Sequence, residues 1–409
     1  MTHETSEIAA AGRLEQYFEH RIGTHLKDKR RRESFAMYAF GMLSDGERKS
    51  AEPIASRACG DPRETHNLHH KLIHFVARSV WDDRALRLEA ARYAIEAVQE
   101  REPITSWIID DTGFLKQGSH SVGVQRQYTG SAGKITNCQV GVSLGVATSS
   151  EQIPVDFELY LPECWTTDAA RRDEARIPEE VTFKTKTVLA LEMIKRAKQN
   201  GIPGNIILAD SAYGDSTDFR NTVRELGFDF AVGVLPTLGV LRLDRHDRVN
   251  TKPQSVAELV ATLPKKTFRR LTWREGTKAK LNSRFGFVRV KTTHDDGILL
   301  AEREALWLVA EWPEGEKKPT KFFLTTLPRG MSHKQIIRHI KERWRTERMY
   351  EDLKGELGLD HFEGRSFPGW HHHVSVVLCC YAFVVAERVR AFPPSAARAR
   401  RHRPLDVAA

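Results

Sequence analysis

The chain has 409 residues, 40% hydrophobic and 29% charged, which suits two or three domains of ~100 to 200 residues and excludes a single small module. Its longest apolar run, Val374 to Ala386 with Ser375 inside it, is too short to cross a bilayer, and the polar start MTHETSE has no signal-peptide core; a cytoplasmic protein with no membrane partner is expected. Lys and Arg total 63 against 54 acidic groups, a net charge of +9 that leans toward polyanionic partners, and five scattered cysteines without a CxxC pair indicate neither a disulfide framework nor a zinc knuckle.

Residues 10 to 100 read as helices. Phe35, Tyr38, Ala39 and Met42 recur at helical spacing, as do Leu72, Phe75, Val76 and Val80, and then Leu86, Ala90, Tyr93, Ala94 and Val98. The basic run Lys27, Lys29, Arg30, Arg31 and Arg32, broken only by Asp28, is either a solvated helix face or a phosphate-binding one. After Pro103 the pattern changes to strands. Trp107 to Ile109 is a short apolar run that stops at Asp110 and Asp111, Val122 to Tyr128 is a second strand, and the turn TGSAGK follows. Cys138, Val140, Val142, Leu144 and Val146 alternate with small or polar residues, the period of a strand with one buried face, and Ile153 to Leu161 continues the meander.

A helix over Lys184 to Asn200, a strand Asn205 to Ala209 ending at Asp210, a helix Thr217 to Leu226 and a strand Asp229 to Val234 come next. Three strands, helix, strand, helix, strand is the opening order of a ribonuclease-H-like sheet. The expected fold is therefore α/β, with a helical domain at 1–102, a ribonuclease-H-like core at 103–236 and 326–390, a β-rich insertion at 237–325, and a basic, disordered tail at 391–409. Within the insertion, strands are expected at Phe285 to Val290, Leu306 to Glu311 and Lys321 to Leu327.

Such a sheet would bring Asp110 or Asp111, Asp210 and Glu347 to one end. Gathered carboxylates are what two Mg²⁺ or Mn²⁺ ions need, as hard oxygen ligands that leave room for water and phosphate oxygens. Taken singly, an Asp at a strand end is more often a turn or cap residue. Neighbouring residues of a strand point to opposite faces, so only one of Asp110 and Asp111 joins a shared site, and Asp111 is favoured. Arg343, Glu347, Tyr350 and Lys354 follow i, i+4, i+7 and i+11, placing one carboxylate among cations on a helical stripe. Lys116 and the Arg-flanked Trp273 are further candidates for DNA contact, through phosphate and base stacking respectively. His66, His70 and His74 read as solvent or packing residues, and the run His371 to His373, at the start of the last apolar helix, as structural.

The segment RWRTERMYEDLK resembles the Tyr-x2-Arg-x3-Glu-x6-Lys signature of IS4-type DDE transposases, with Arg343, Glu347 and Lys354 in register and Ile340 at the Tyr position. IIDDTGFLKQGSHSVGVQRQY, GKITNCQVGVSLG, LADSAYGD, GMLSDGERKS and TWREG are similar to segments of the IS701 group, so the resemblance covers roughly residues 30 to 385. It implies a triad of Asp111, Asp210 and Glu347, two divalent ions, Arg343, Lys354 and Tyr350 near DNA, double-stranded DNA at element ends and target as partner, and a homodimer in the DNA complex. One rival is an inactivated or domesticated transposase that only binds DNA. The other, a haloacid-dehalogenase-like phosphatase suggested by GDSTD at Gly214 to Asp218, needs an Asp-x-Asp after its first strand that this chain lacks.

Overall fold

The computed structural model describes residues 2–275, 280–293, 299–300 and 302–391; the expected tail lies outside them, apart from Ala391. Helices occupy the N-terminal quarter: α1 (Thr2–Gln16), α2 (Gly23–Leu26), α3 (Lys29–Leu43), α4 (Ala51–Ala58), α5 (Pro62–Ala77) and α6 (Asp83–Gln99). Their starts are written locally. Asp28 accepts the Arg30 and Arg31 amides, Asp61 caps α5 ahead of Pro62, and Asp82 caps α6, each satisfying amides that the first helical turn leaves without partners.

The strands are β1 (Ser106–Leu115), β2 (Gln125–Thr129), β3 (Lys134–Ala147), β4 (Gln152–Tyr160), β5 (Ile206–Ala209), β6 (Asp229–Val234), β7 (Gly239–Arg242), β8 (Gln254–Ser255), β9 (Arg269–Glu275), β10 (Lys280–Thr292), β11 (Leu306–Trp312) and β12 (Lys321–Thr325). Between them lie α7 (Glu163–Thr167), α8 (Ala169–Glu174), α9 (Lys186–Gln199), α10 (Ser211–Gly214), α11 (Thr217–Glu225) and α12 (Val256–Ala261). They are followed by α13 (His333–Lys341), α14 (Trp344–Glu351) and α15 (Phe367–Ala391). The path through the sheet runs β2-β3-β1-β5-β6-β12-β11-β10-β7-β8, with β4 on β3 and β9 on β10. The first three strands are antiparallel, and β1, β5 and β6 are parallel across the two helical crossovers.

Three expectations change. First, β1 does not stop at the acidic pair. Thr112, Gly113 and Phe114 go on pairing with Gly141, Val140 and Gln139, so Asp110 and Asp111 lie inside a strand. Second, β3 is buried on both faces from Cys138 to Ala147. Its small residues are there for packing: a Cβ on Gly141 would come within 2.3 Å of the Phe157 ring. Third, β12 pairs antiparallel with β6, so the β-rich segment prolongs the main sheet. Local pattern cannot show such a long-range pairing.

The last helix, α15, is apolar almost all round and packs against α3, α5, α6 and β4, the arrangement of a helix inside a core. No helix among the described residues is long and apolar enough to cross a membrane. Charged groups are buried where α6, β4, α9 and α15 meet. Arg87, 1% exposed, bonds Asp83, Asp156 and Ser375, while Arg196 reaches Asp156 and Glu158. Burial opposes ionisation of Glu158, but His371, Arg87 and Arg84 outweigh it and hold its carboxyl well below the usual range.

The histidine run is part of this packing. His372 bonds the Val76 carbonyl and stacks on Trp81, and His373 sits between the Tyr38 hydroxyl and the Gly358 carbonyl. Burial pushes His372 down to about 4 and His373 down to about 3. The unfolded chain takes up these protons near pH ~6.5, whereas the folded chain refuses them until the depressed values are reached. Stability is therefore complete above that pH and lost as the pH falls. Acidifying from about pH 7 to about pH 5 is expected to cost about 2 kcal/mol per histidine in chemical denaturation, with a shallower dependence in His372→Asn.

Candidate active site

Because β1 persists through both acidic residues, its pleat sends them to opposite sides. Asp110 stands directly across from Ser143 of β3, on the face covered by α13 and α14. Several contacts fix that side: Ser106 Oγ donates to Glu342 at 2.8 Å, Gln152 bonds Thr346 at 3.0 Å, and the Tyr350 hydroxyl lies 2.6 Å from Ser143 Oγ. Asp111 faces α9, where its Oδ2 accepts Lys186 Nζ at 3.1 Å and the Tyr213 hydroxyl at 3.3 Å.

Strand β5 lies parallel to β1 with Ser106 beside Ile206 and Ile108 beside Leu208. Two residues further on, the same offset leads from Asp110 to Asp210, which leaves β5 as the cap of α10 and accepts the Ala212 amide at 2.9 Å. Arg343 joins the two. Its Nη2 is 3.0 Å from Asp110 Oδ2 and 4.0 Å from Asp210 Oδ2, and its Nε is buried without an acceptor among the described residues. Burial raises the Asp110 carboxyl above its ordinary value and Asp210 adds to this, against the opposing pull of Arg343.

The stripe read from the sequence runs along this strand. Arg343 reaches Asp110, Tyr350 reaches the residue opposite Asp110, and Lys354 Nζ lies 2.8 Å from Thr112 Oγ1 and 2.7 Å from the Gly113 carbonyl. Glu347 belongs to the same stripe, between Arg343 and Tyr350. It is exposed and makes no hydrogen bond or ion pair among the described residues. Among those residues no three His, Cys, Asp or Glu side chains gather closely enough to hold a metal ion. The donor chemistry still fits one: Asp110 and Asp210 offer hard oxygens toward a common positive charge, here a guanidinium, with the free carboxylate of Glu347 on the helix above.

Other expected contacts are engaged within the fold. Lys116 donates to the Phe362 carbonyl, and Tyr350 is half-buried with its hydroxyl held at Ser143. Trp273 is half-buried, edge-on to Phe285 and under Lys341 Nζ at 4.8 Å. Arg30, Arg31 and Arg32 open α3, and their side chains form no ion pair among the described residues; Arg30 and Arg32 are exposed. Of the GDSTD residues, Asp215 accepts the Leu235 amide and Ser216 caps α11, both local structural roles. Sequence reasoning missed Lys186, Tyr213 and Ser143. Tyr213 had the one available signal, an aromatic residue three positions after Asp210. Replacing Arg343 by Met leaves Asp110 facing Asp210 without its cation. The substitution is expected to destabilise the fold by about 1–3 kcal/mol, and Asp110→Asn to recover part of that loss in a double-mutant cycle read by denaturation.

Residues 21–280 match the family described as DDE superfamily endonuclease, and residues 184–383 match the family described as transposase DDE domain. A protein of Microchaete diplosiphon described as "Probable transposase for insertion sequence element IS701" is 26% identical over 358 residues, covering 86% of this chain and 82% of the relative. The chain therefore belongs to the DDE superfamily of endonucleases and transposases, and its likeness to the IS701 type spans most of its length.

Proposed function

We propose that this protein is a DNA transposase that cleaves phosphodiester bonds at the terminal inverted repeats of its element and joins the freed 3′-hydroxyl ends to target DNA, acting as a dimer on DNA. The observation that carries the reading is the convergence of Asp110 and Asp210 on Arg343, beneath the helix that bears Glu347. In this reading Asp110, Asp210 and Glu347 hold two Mg²⁺ or Mn²⁺ ions. Bound there, such ions supply activation of the attacking oxygen and neutralisation of charge on the leaving one.

The expected first member, Asp111, is replaced by Asp110 because Asp111 looks away from α14 and is neutralised by Lys186. It becomes a positioning residue that ties β1 to α9 and, through Tyr213, to the turn after Asp210. Arg343 places a guanidinium charge beside the two carboxylates, where a phosphate entering the site would meet it, a charge-assisted contact that guanidinium geometry favours. Lys354 adds positive charge beside Thr112 and Gly113. The cations at the start of α3 contribute sequence-independent affinity for the backbone.

Asp110→Asn, Asp210→Asn and Glu347→Gln are each expected to lower Mg²⁺-dependent nicking of end-containing duplex by about a thousandfold or more while DNA binding persists. Asp111→Asn is expected to lose about tenfold or less. Wild-type binding with no cutting that depends on these carboxylates would instead favour a protein that only binds DNA.

A further inference from the structure

The β2–β3 hairpin has no part in the chemistry above, yet it grows out of the same strands. No acidic residue lies between Asp111 and Glu151, a stretch that contains Lys116, His120, Arg126 and Lys134. Strand β2 is the outermost strand on that side of the sheet. Its register sets Tyr128 against Ile135 and Arg126 against Asn137. Residues two apart along a strand share a face, so Ile135 and Asn137 lie on the face of Ser143, and hence of Asp110. Tyr128 is 63% and Ile135 61% exposed, a large apolar pair on an edge where proteins ordinarily set charges.

The turn of the hairpin is locked to the carboxylate strand. Ser131 Oγ lies 3.1 Å from Thr112 Oγ1, accepts the Gly113 amide at 3.2 Å and stands 3.4 Å from Lys354 Nζ. Thr129 is buried over Gly113, where a Cβ would come within 2.0 Å of its hydroxyl. Whatever rests on this hairpin therefore rests against the part of β1 that carries Thr112 and Gly113, just past the acidic pair. Arg126, on the face of Tyr128, and Lys134, on the opposite face beside the turn, are exposed and form no ion pair among the described residues, so a polyanion meets positive charge on either side of this edge. A nucleic-acid strand matches both features, since phosphates take the cations and every base offers a face to an aromatic ring. A second copy paired edge to edge would bring the same unpaired cations together.

We infer that the β2–β3 hairpin is a DNA-contacting wedge: Tyr128, backed by Ile135, stacks on a base exposed where the duplex opens beside the carboxylates, and Arg126 and Lys134 hold the flanking phosphates. The inference rests on the DNA-cleaving reading above. It is tested with the full chain and two probes of one sequence, a blunt duplex and a forked duplex, each with 2-aminopurine at the junction position. The wild type should prefer the fork and quench the probe. Tyr128→Ala should lose about tenfold in fork affinity and lose the quenching, Tyr128→Phe should keep both, and all should melt alike. Arg126→Gln combined with Lys134→Gln should weaken both probes and flatten the salt dependence by about two phosphate contacts.

If Tyr128→Ala binds and quenches like the wild type while the wild type still binds and cuts DNA, the wedge is refuted and the proposed function stands. A wild type that binds neither probe overturns both. A change in sedimentation without a change in DNA affinity makes the hairpin a contact between copies and likewise refutes the wedge.

Discussion

Because β1 stays hydrogen-bonded to β3 from Ser106 to Leu115, its two adjacent carboxylates leave the sheet in opposite directions, and each meets a different cation. Two neighbouring aspartates on one face would repel at short range. Divided by the pleat, one is neutralised by Lys186 of α9 and the other by Arg343, just ahead of α14. The division also determines which carboxylate lies on the side of the sheet covered by α14, the helix that carries Glu347. Only the Asp110 side carries Asp210, Arg343, Tyr350 and Lys354 together.

The helical layers serve that strand. α15, nearly apolar throughout, packs against the N-terminal helices and β4, and β4 pairs with β3. Phe114 of β1, Phe157 of β4 and Trp370 of α15 meet with ring centroids 5.7–6.3 Å apart, aromatic packing that fixes the end of β1 beyond the acidic pair. The buried Arg87 network repeats the coupling with charge. Buried ion pairs of this kind add little net stability against apolar packing, but losing one partner strands the others, so they enforce one arrangement of α6, β4, α9 and α15.

Much of this was legible in the sequence. The order of helices and strands followed from periodicity, and the boundaries of β6 matched the expected strand to the residue, because Asp229 and the Pro after Leu235 delimit a plain apolar run. The stripe of Arg343, Glu347, Tyr350 and Lys354 was readable because helical spacing is fixed by geometry. The continuation of β1 was not, since Asp-Asp-Thr-Gly has the composition of a turn. It is a strand because β3 supplies partners and Thr129 fills the space that Gly113 leaves. Lys186 and Ser143 were invisible for the same reason: one reaches Asp111 from a crossover helix and the other faces Asp110 across a ladder, and only tertiary register brings either into place.

The most direct measurement of the central claim is Mn²⁺ binding by calorimetry to the full chain and to Asp110→Asn and Asp111→Asn. Asp110→Asn is expected to abolish high-affinity binding, while Asp111→Asn retains it close to wild type. Binding that survives in Asp110→Asn and disappears in Asp111→Asn would contradict that claim.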